Sequence, residues 1–129
     1  MERKATGHFS EEGRYFTTGP EGYRHEFKEG TGPYEYLMGA LAGCFYSTLS
    51  SYERKCTWDY VEITPSCVKR TTVPTTAEHT TLEIVAKNCS DKEEFEELVK
   101  RTASACSIYN TISCVSTMDV AVRLEDDEE

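Results

Sequence analysis

The period of hydrophobic and polar positions changes several times along the chain, and each change marks an element. The first thirty residues run in short stretches broken by turn chemistry at Gly13 and at Gly19-Pro20-Glu21-Gly22. Arg14 to Thr18 reads as a strand. Tyr23, His25 and Phe27 then alternate with Arg24, Glu26 and Lys28, the two-residue period of a half-buried strand. From Gly32 the period lengthens. Gly32 suits a cap, Pro33 the first helical position and Glu35 the first turn. Leu37, Leu41, Cys44, Thr48 and Tyr52 follow at helical spacing, with Leu49 beside them. Gly39 and Gly43 lie in this segment, and each costs about 1 kcal/mol relative to alanine. A helix that accepts both is expected to use them for close approach to another backbone.

Val61, Ile63 and Cys67 open a second extended region, where Pro65 suggests an edge or a bulge. A polar, turn-rich stretch from Thr71 to Thr80 leads into Leu82, Ile84 and Ala86, which read as the hairpin partner. Ser90-Asp91-Lys92-Glu93 has the form of a capping box, with Ser90 as N-cap and Glu93 as its reciprocal partner. Phe95, Leu98, Val99, Thr102 and Cys106 share one face of the helix that follows. Met118, Val120, Val122 and Leu124 alternate with Asp119, Ala121 and Arg123 as a last strand. The expected order is β-hairpin, helix, β-hairpin, helix, strand. Strands in blocks with helices between them argue for an α+β fold with a largely antiparallel sheet.

At 129 residues the chain is expected to form one domain able to bury a core without metal or disulfide staples. Its net charge is −9, and the last five residues, Glu125 to Glu129, are all acidic. That end is expected to fray as a solvated tail. No basic patch appears, which argues against nucleic acid and anionic membrane surfaces as partners. No apolar segment follows Met1-Glu2-Arg3-Lys4, so neither a signal peptide nor a membrane span is expected, and the expected location is cytoplasmic.

Six cysteines (Cys44, Cys56, Cys67, Cys89, Cys106 and Cys114) show no CxxC pair and no zinc-finger spacing. Reduced thiols are the expectation for such a set, ahead of a secreted disulfide framework. A single cysteine on an apolar helix face is ordinarily a small core residue. Cys44 and Cys106 differ in lying on the faces of two different helices, where packing could bring them together. Cys56, Cys67, Cys89 and Cys114 read as packing or partly exposed thiols. His8, His25 and His79 form no motif, so no metal site and no Cys–His nucleophile is expected, which argues against a cysteine hydrolase or acyl-transferase. No cofactor is expected.

The stretch Gly32-Pro33-Tyr34-Glu35-Tyr36-Leu37-Met38-Gly39-Ala40-Leu41-Ala42-Gly43-Cys44 resembles the first helix of the OsmC/Ohr family. That family's pattern is a helix-start proline, an acidic residue, leucine, a run of small residues and a reactive cysteine. Cys106-Ser107-Ile108-Tyr109 occupies the place of the family's second cysteine, with serine where proline is common. The resemblance covers Ala5 to Leu124. It implies antiparallel sheets wrapped around central helices in an intertwined homodimer. It also implies a thiol peroxidase acting on organic hydroperoxides, and in some members hydrogen peroxide. By the same resemblance Cys44 attacks the peroxide and Cys106 closes a disulfide onto it, which an external dithiol or lipoyl-type reductant reopens.

The thiolate needs a nearby cation, since Cys44 stands too deep in its helix for the N-terminal dipole to help much. The family supplies an arginine from the N-terminal strands, held by a glutamate directly after the proline. Arg14 and Arg24 are the candidates here, each also readable as an exposed strand charge. Tyr34 stands at the glutamate position, and Glu35 is the nearest carboxylate. That departure keeps a second reading open, a non-enzymatic member of the fold that binds a small ligand or senses oxidants.

Overall fold

The computed structural model describes residues 1–127 and resolves into two compact units, residues 1–37 and the rest of the chain from Met38. In the first unit, β1 (Thr6–Ser10), β2 (Gly13–Thr18) and β3 (Tyr23–Glu26) form an antiparallel sheet in that order. The β2–β3 turn has positive φ at Gly19 and Gly22, a backbone that favours glycine, and closes through the Gly22 amide on the Gly19 carbonyl at 3.2 Å. Phe16, Phe27 and Tyr36 pack ring against ring in this unit, with centroids 5.0–5.6 Å apart. The Tyr36 hydroxyl donates to the Glu26 carbonyl at 2.6 Å.

Helix α1 (Pro33–Ser51) begins where Gly32 and Pro33 predict. The Gly32 carbonyl accepts from the Tyr36 amide at 3.1 Å, and the Gly32 amide donates to the Glu35 carboxylate at 2.7 Å. The buried stripe is Met38, Leu41, Phe45 and Leu49, one position round the helix from the expected one. Cys44 is therefore half-buried at the edge of the stripe, and Leu37 is part exposed. Gly39 and Gly43 are both exposed, and a methyl group added at either would meet no heavy atom within 4 Å. The expected close backbone approach is not made within the described residues of this chain.

In the second unit, β4 (Tyr60–Lys69), β5 (Ala77–Lys87) and β6 (Thr117–Glu125) form the other three-stranded sheet with β5 central. Pro65 lies on edge strand β4, opposite Leu82, where its missing N–H costs no ladder bond to a third strand. The β4–β5 pair is antiparallel, as are both pairs of the first sheet, so the strands are largely antiparallel as expected; β5 and β6 alone among the described strands run parallel. The reason is the connection. Helices α2 (Lys92–Ala105) and α3 (Ser107–Ser113) carry the chain back across the sheet before β6 starts. Leu82, Ile84 and Ala86 of β5, Phe95, Leu98 and Val99 of α2, and the α1 stripe form the core.

Two local expectations change. The N-cap of α2 is Asp91, whose carboxylate accepts from the Glu94 amide at 3.1 Å, and not Ser90. Ser90 is taken by the loop before β4, accepting the Thr57 amide at 2.9 Å and returning its own amide to the Thr57 carbonyl at 2.9 Å. The acidic end is not free from Glu125 onward. Glu125 closes β6 opposite Lys87, and Asp127 receives the Lys87 ammonium at 3.2 Å and the Asn88 side-chain amide at 2.9 Å. Residues 128–129 lie outside the described residues. Among those described, no helix is long and apolar enough to cross a membrane.

Candidate active site

One helix face and one helix break build the site. Cys44 projects from the middle of α1, beside buried Phe45. Cys106 does not continue the face of α2 as its spacing suggests. It is the C-cap of α2 and the N-cap of α3 at once, with φ −65° and ψ 120°. Its amide still closes the last turn of α2 on the Thr102 carbonyl at 2.7 Å, and its carbonyl opens α3 by accepting the Asn110 amide at 3.0 Å. The turn of the chain at this residue carries its sulfur to 3.3 Å from the Cys44 sulfur, across 62 positions of sequence.

The pair is asymmetric. Cys106 is fully buried, whereas Cys44 is half-buried. Burial pushes the Cys106 thiol above its usual range; the amides of Tyr109 and Ile108 pull it back in part, and the neighbouring Cys44 adds to the rise. Cys106 is thus a protonated donor at neutral pH, and its S–H points at Cys44. Of the two sulfurs, that of Cys44 is the more accessible. The wall beside the thiols is apolar, with the Phe45 and Tyr109 rings 5.9 Å apart. Burial, Asp119 and Cys106 all raise the Tyr109 phenol, so it too stays protonated. This arrangement can trap an oxidised sulfur: two thiols in near contact, one open to a small molecule and one sealed behind it.

The residues expected to support the thiols have local tasks in the first unit. Glu35 is held by the Gly32 amide as part of the α1 cap. Arg24 pairs with Glu26 and lies over the Tyr15 ring, 3.6 Å from its centroid. Arg14 is exposed on β2. His25 and His8 bond to Thr18 and Thr17 of the same sheet, at 2.9 and 3.4 Å. Of the other cysteines, Cys56 is buried, Cys67 and Cys89 are half-buried and Cys114 is exposed. No local signal marks the α2–α3 break, because Ala105-Cys106-Ser107 contains no strong helix breaker and the apolar spacing runs through it.

An α+β chain with a half-buried and a buried thiol in near contact, one on its first long helix and one at a helix break, defines a class of thiol-bearing proteins, and likeness to known proteins names the family. The family model for OsmC-like proteins matches residues 26–121, and this chain belongs to that family. Its fold is also that of an OsmC-like protein from Mycoplasma pneumoniae (TM-score 0.81, 15% identity, 97% of this chain and 98% of that one). A hypothetical protein from Aquifex aeolicus is similar (TM-score 0.79, 16% identity, 99% of each chain). So is the organic hydroperoxide resistance protein OhrB of Bacillus subtilis (TM-score 0.68, 16% identity, 95% of this chain and 98% of that one). No curated protein matches the sequence significantly.

Proposed function

We propose that this chain is a thiol-dependent peroxidase that reduces organic hydroperoxides, and hydrogen peroxide as a smaller substrate of the same class. The observation that carries the reading is the 3.3 Å contact between the Cys44 and Cys106 sulfurs. The Cys44 thiolate attacks the terminal peroxide oxygen, the O–O bond breaks, and the departing alkoxide takes a proton to become an alcohol. Cys44 is left as a sulfenic acid. Cys106 then attacks that sulfur. The S–O bond breaks, the S–S bond forms, and hydroxide leaves with the Cys106 proton as water. A dithiol of lipoyl type reduces the disulfide and restores both thiols. The apolar wall of Phe45 and Tyr109 favours an organic substituent on the peroxide. The six free cysteines suit a reducing compartment such as the cytoplasm. We propose a homodimer as the working form. The exposed small-residue face of α1 with Gly39 and Gly43 supports that assembly.

A second reading is a redox sensor or small-ligand carrier on the same fold. Two observations favour it. Glu35 and Arg24 are engaged locally, and an open groove of about 440 Å³ lies between α2 and β6, lined by Glu96, Val99, Lys100, Ala103, Val120 and Val122.

Stopped-flow mixing of the reduced protein with cumene hydroperoxide and with hydrogen peroxide separates the two. The peroxidase reading expects rapid thiol loss in the wild type, none of that phase in Cys44→Ser, and a trapped sulfenic acid in Cys106→Ser. Slow thiol loss that is indifferent to Cys44 overturns it in favour of the second reading.

A further inference from the structure

The side chain of Asn110, one turn past Cys106, closes the α2–α3 break. Its amide nitrogen donates to two carbonyls, Ala103 at 2.9 Å and Cys106 at 2.8 Å. Both partners only accept, so its orientation follows from them. In an unbroken helix the Ala103 carbonyl would accept from the amide of Ser107. With ψ at 120°, Cys106 turns that next peptide out of the helical path, and the Asn110 side chain takes the acceptor it would have used. One carboxamide thereby ties the last turn of α2 to the first turn of α3 across the residue that carries the buried sulfur. No helix breaker stands here to do the same work, since Ser107 occupies the first position of α3.

We propose that Asn110 is a positioning residue: its carboxamide holds the break at Cys106 and keeps that thiol aimed at Cys44, which sets the stability of the disulfide between them. The inference rests on the peroxidase reading for its place in the cycle, the step after sulfenic acid formation. Without the clamp, the reduced chain gains conformations in which α2 runs on into α3 and the Cys106 sulfur swings away. The disulfide form cannot follow, so the reduced form is favoured.

The test uses the full chain equilibrated with dithiothreitol redox buffers and no peroxide. Asn110→Ala is expected to shift the equilibrium about tenfold toward the dithiol, equivalent to about 30 mV for a two-electron couple. Ser107→Pro added to Asn110→Ala should restore the wild-type equilibrium. Proline has no N–H with which to continue the helix, and it favours an extended residue before it. A positional effect is rescued in this way, whereas a general loss of stability is not. Asn110→Asp provides a second variant, because at pH 7 its carboxylate faces two carbonyl oxygens and the shift should be at least as large. An unshifted equilibrium in both variants, or no rescue by proline, overturns the inference alone. A wild-type chain that forms no Cys44–Cys106 disulfide under oxidising buffer overturns the peroxidase reading and the inference together.

Discussion

Two buried cysteines at opposite ends of α2 have similar surroundings and different partners. Cys106, at its C-terminal end, is fully buried with a second thiol 3.3 Å away. Cys56 packs near its N-terminal end, in the loop before β4, and is 2% exposed. Its amide and that of Lys55 donate to the Glu94 carboxylate at 2.7 and 3.0 Å. Burial first, then the Glu94 charge, push the Cys56 thiol up to about 11. Both thiols are sealed and protonated. Cys106 has a thiol in near contact, whereas Cys56 has the Glu94 carboxylate on its amide and Cys89 only near enough to add to the rise of its thiol. Burial alone makes a cysteine inert, and what separates a core residue from a redox partner is the chemistry of the atom it touches.

The largest effect that can break this comparison is loss of the proposed nucleophile. Cys44→Ser should abolish the rapid peroxide-dependent thiol loss, while Cys56→Ser leaves its rate within about twofold. An equal loss in both variants, followed by thiol titration after peroxide, would show that the two buried sites are not distinct. Next comes packing at the Cys56 end. Phe95 is fully buried and meets Trp58 edge to face at 5.5 Å. Phe95→Ala should cost about 3–5 kcal/mol in urea unfolding and should open Cys56 to alkylation. A drop below about 1 kcal/mol would mean that this end of the core collapses into the cavity.

The pH responses sharpen the contrast from both sides. Hydrogen bonds from the Lys55 amide, followed by that of Cys56, hold the Glu94 carboxyl below its usual value of 4.5. Its folded pKa is lowered, so its contribution is present above pH 4.5 and is lost as the pH falls through the folded value. The Cys56 thiol has the opposite sign. Its folded pKa is raised, so its contribution is complete below pH 9.0 and is lost by about pH 11 as the unfolded chain ionises first. Stability measured against pH should bend in both windows in the wild type. Cys56→Ala should remove the alkaline bend and Glu94→Gln the acid one. Persistence of the alkaline bend in Cys56→Ala would assign it to another group. The smallest effect is that of the cap. Asp91→Ala should cost about 1 kcal/mol in thermal unfolding and leave the Cys44–Cys106 equilibrium unmoved.

Much of this was legible in the residues. Gly32-Pro33 with Glu35 marks the start of α1, and the alternation of Leu82, Ile84 and Ala86 marks a strand with one buried face. These signals are local, made by caps within one turn and by side chains that alternate across a strand. The run from Pro33 to Cys44 carried the family resemblance for the same reason, as a contiguous helix. Where a neighbour from elsewhere in the chain competes for a side chain, the local signal misleads. Ser90 looks like the N-cap of α2, but the Thr57 amide claims it and Asp91 caps instead.

By itself, then, the sequence determined most of the elements, the α+β class and the two cysteines that meet in the folded chain. Tertiary structure decided that β6 runs parallel to β5, that Gly39 and Gly43 stay uncovered in this chain, and that the helix breaks at Cys106. Periodicity and capping act over a few residues and can be read along the chain. The meeting of two sulfurs 62 positions apart depends on how a core packs and on where a backbone turns, and no local pattern records either.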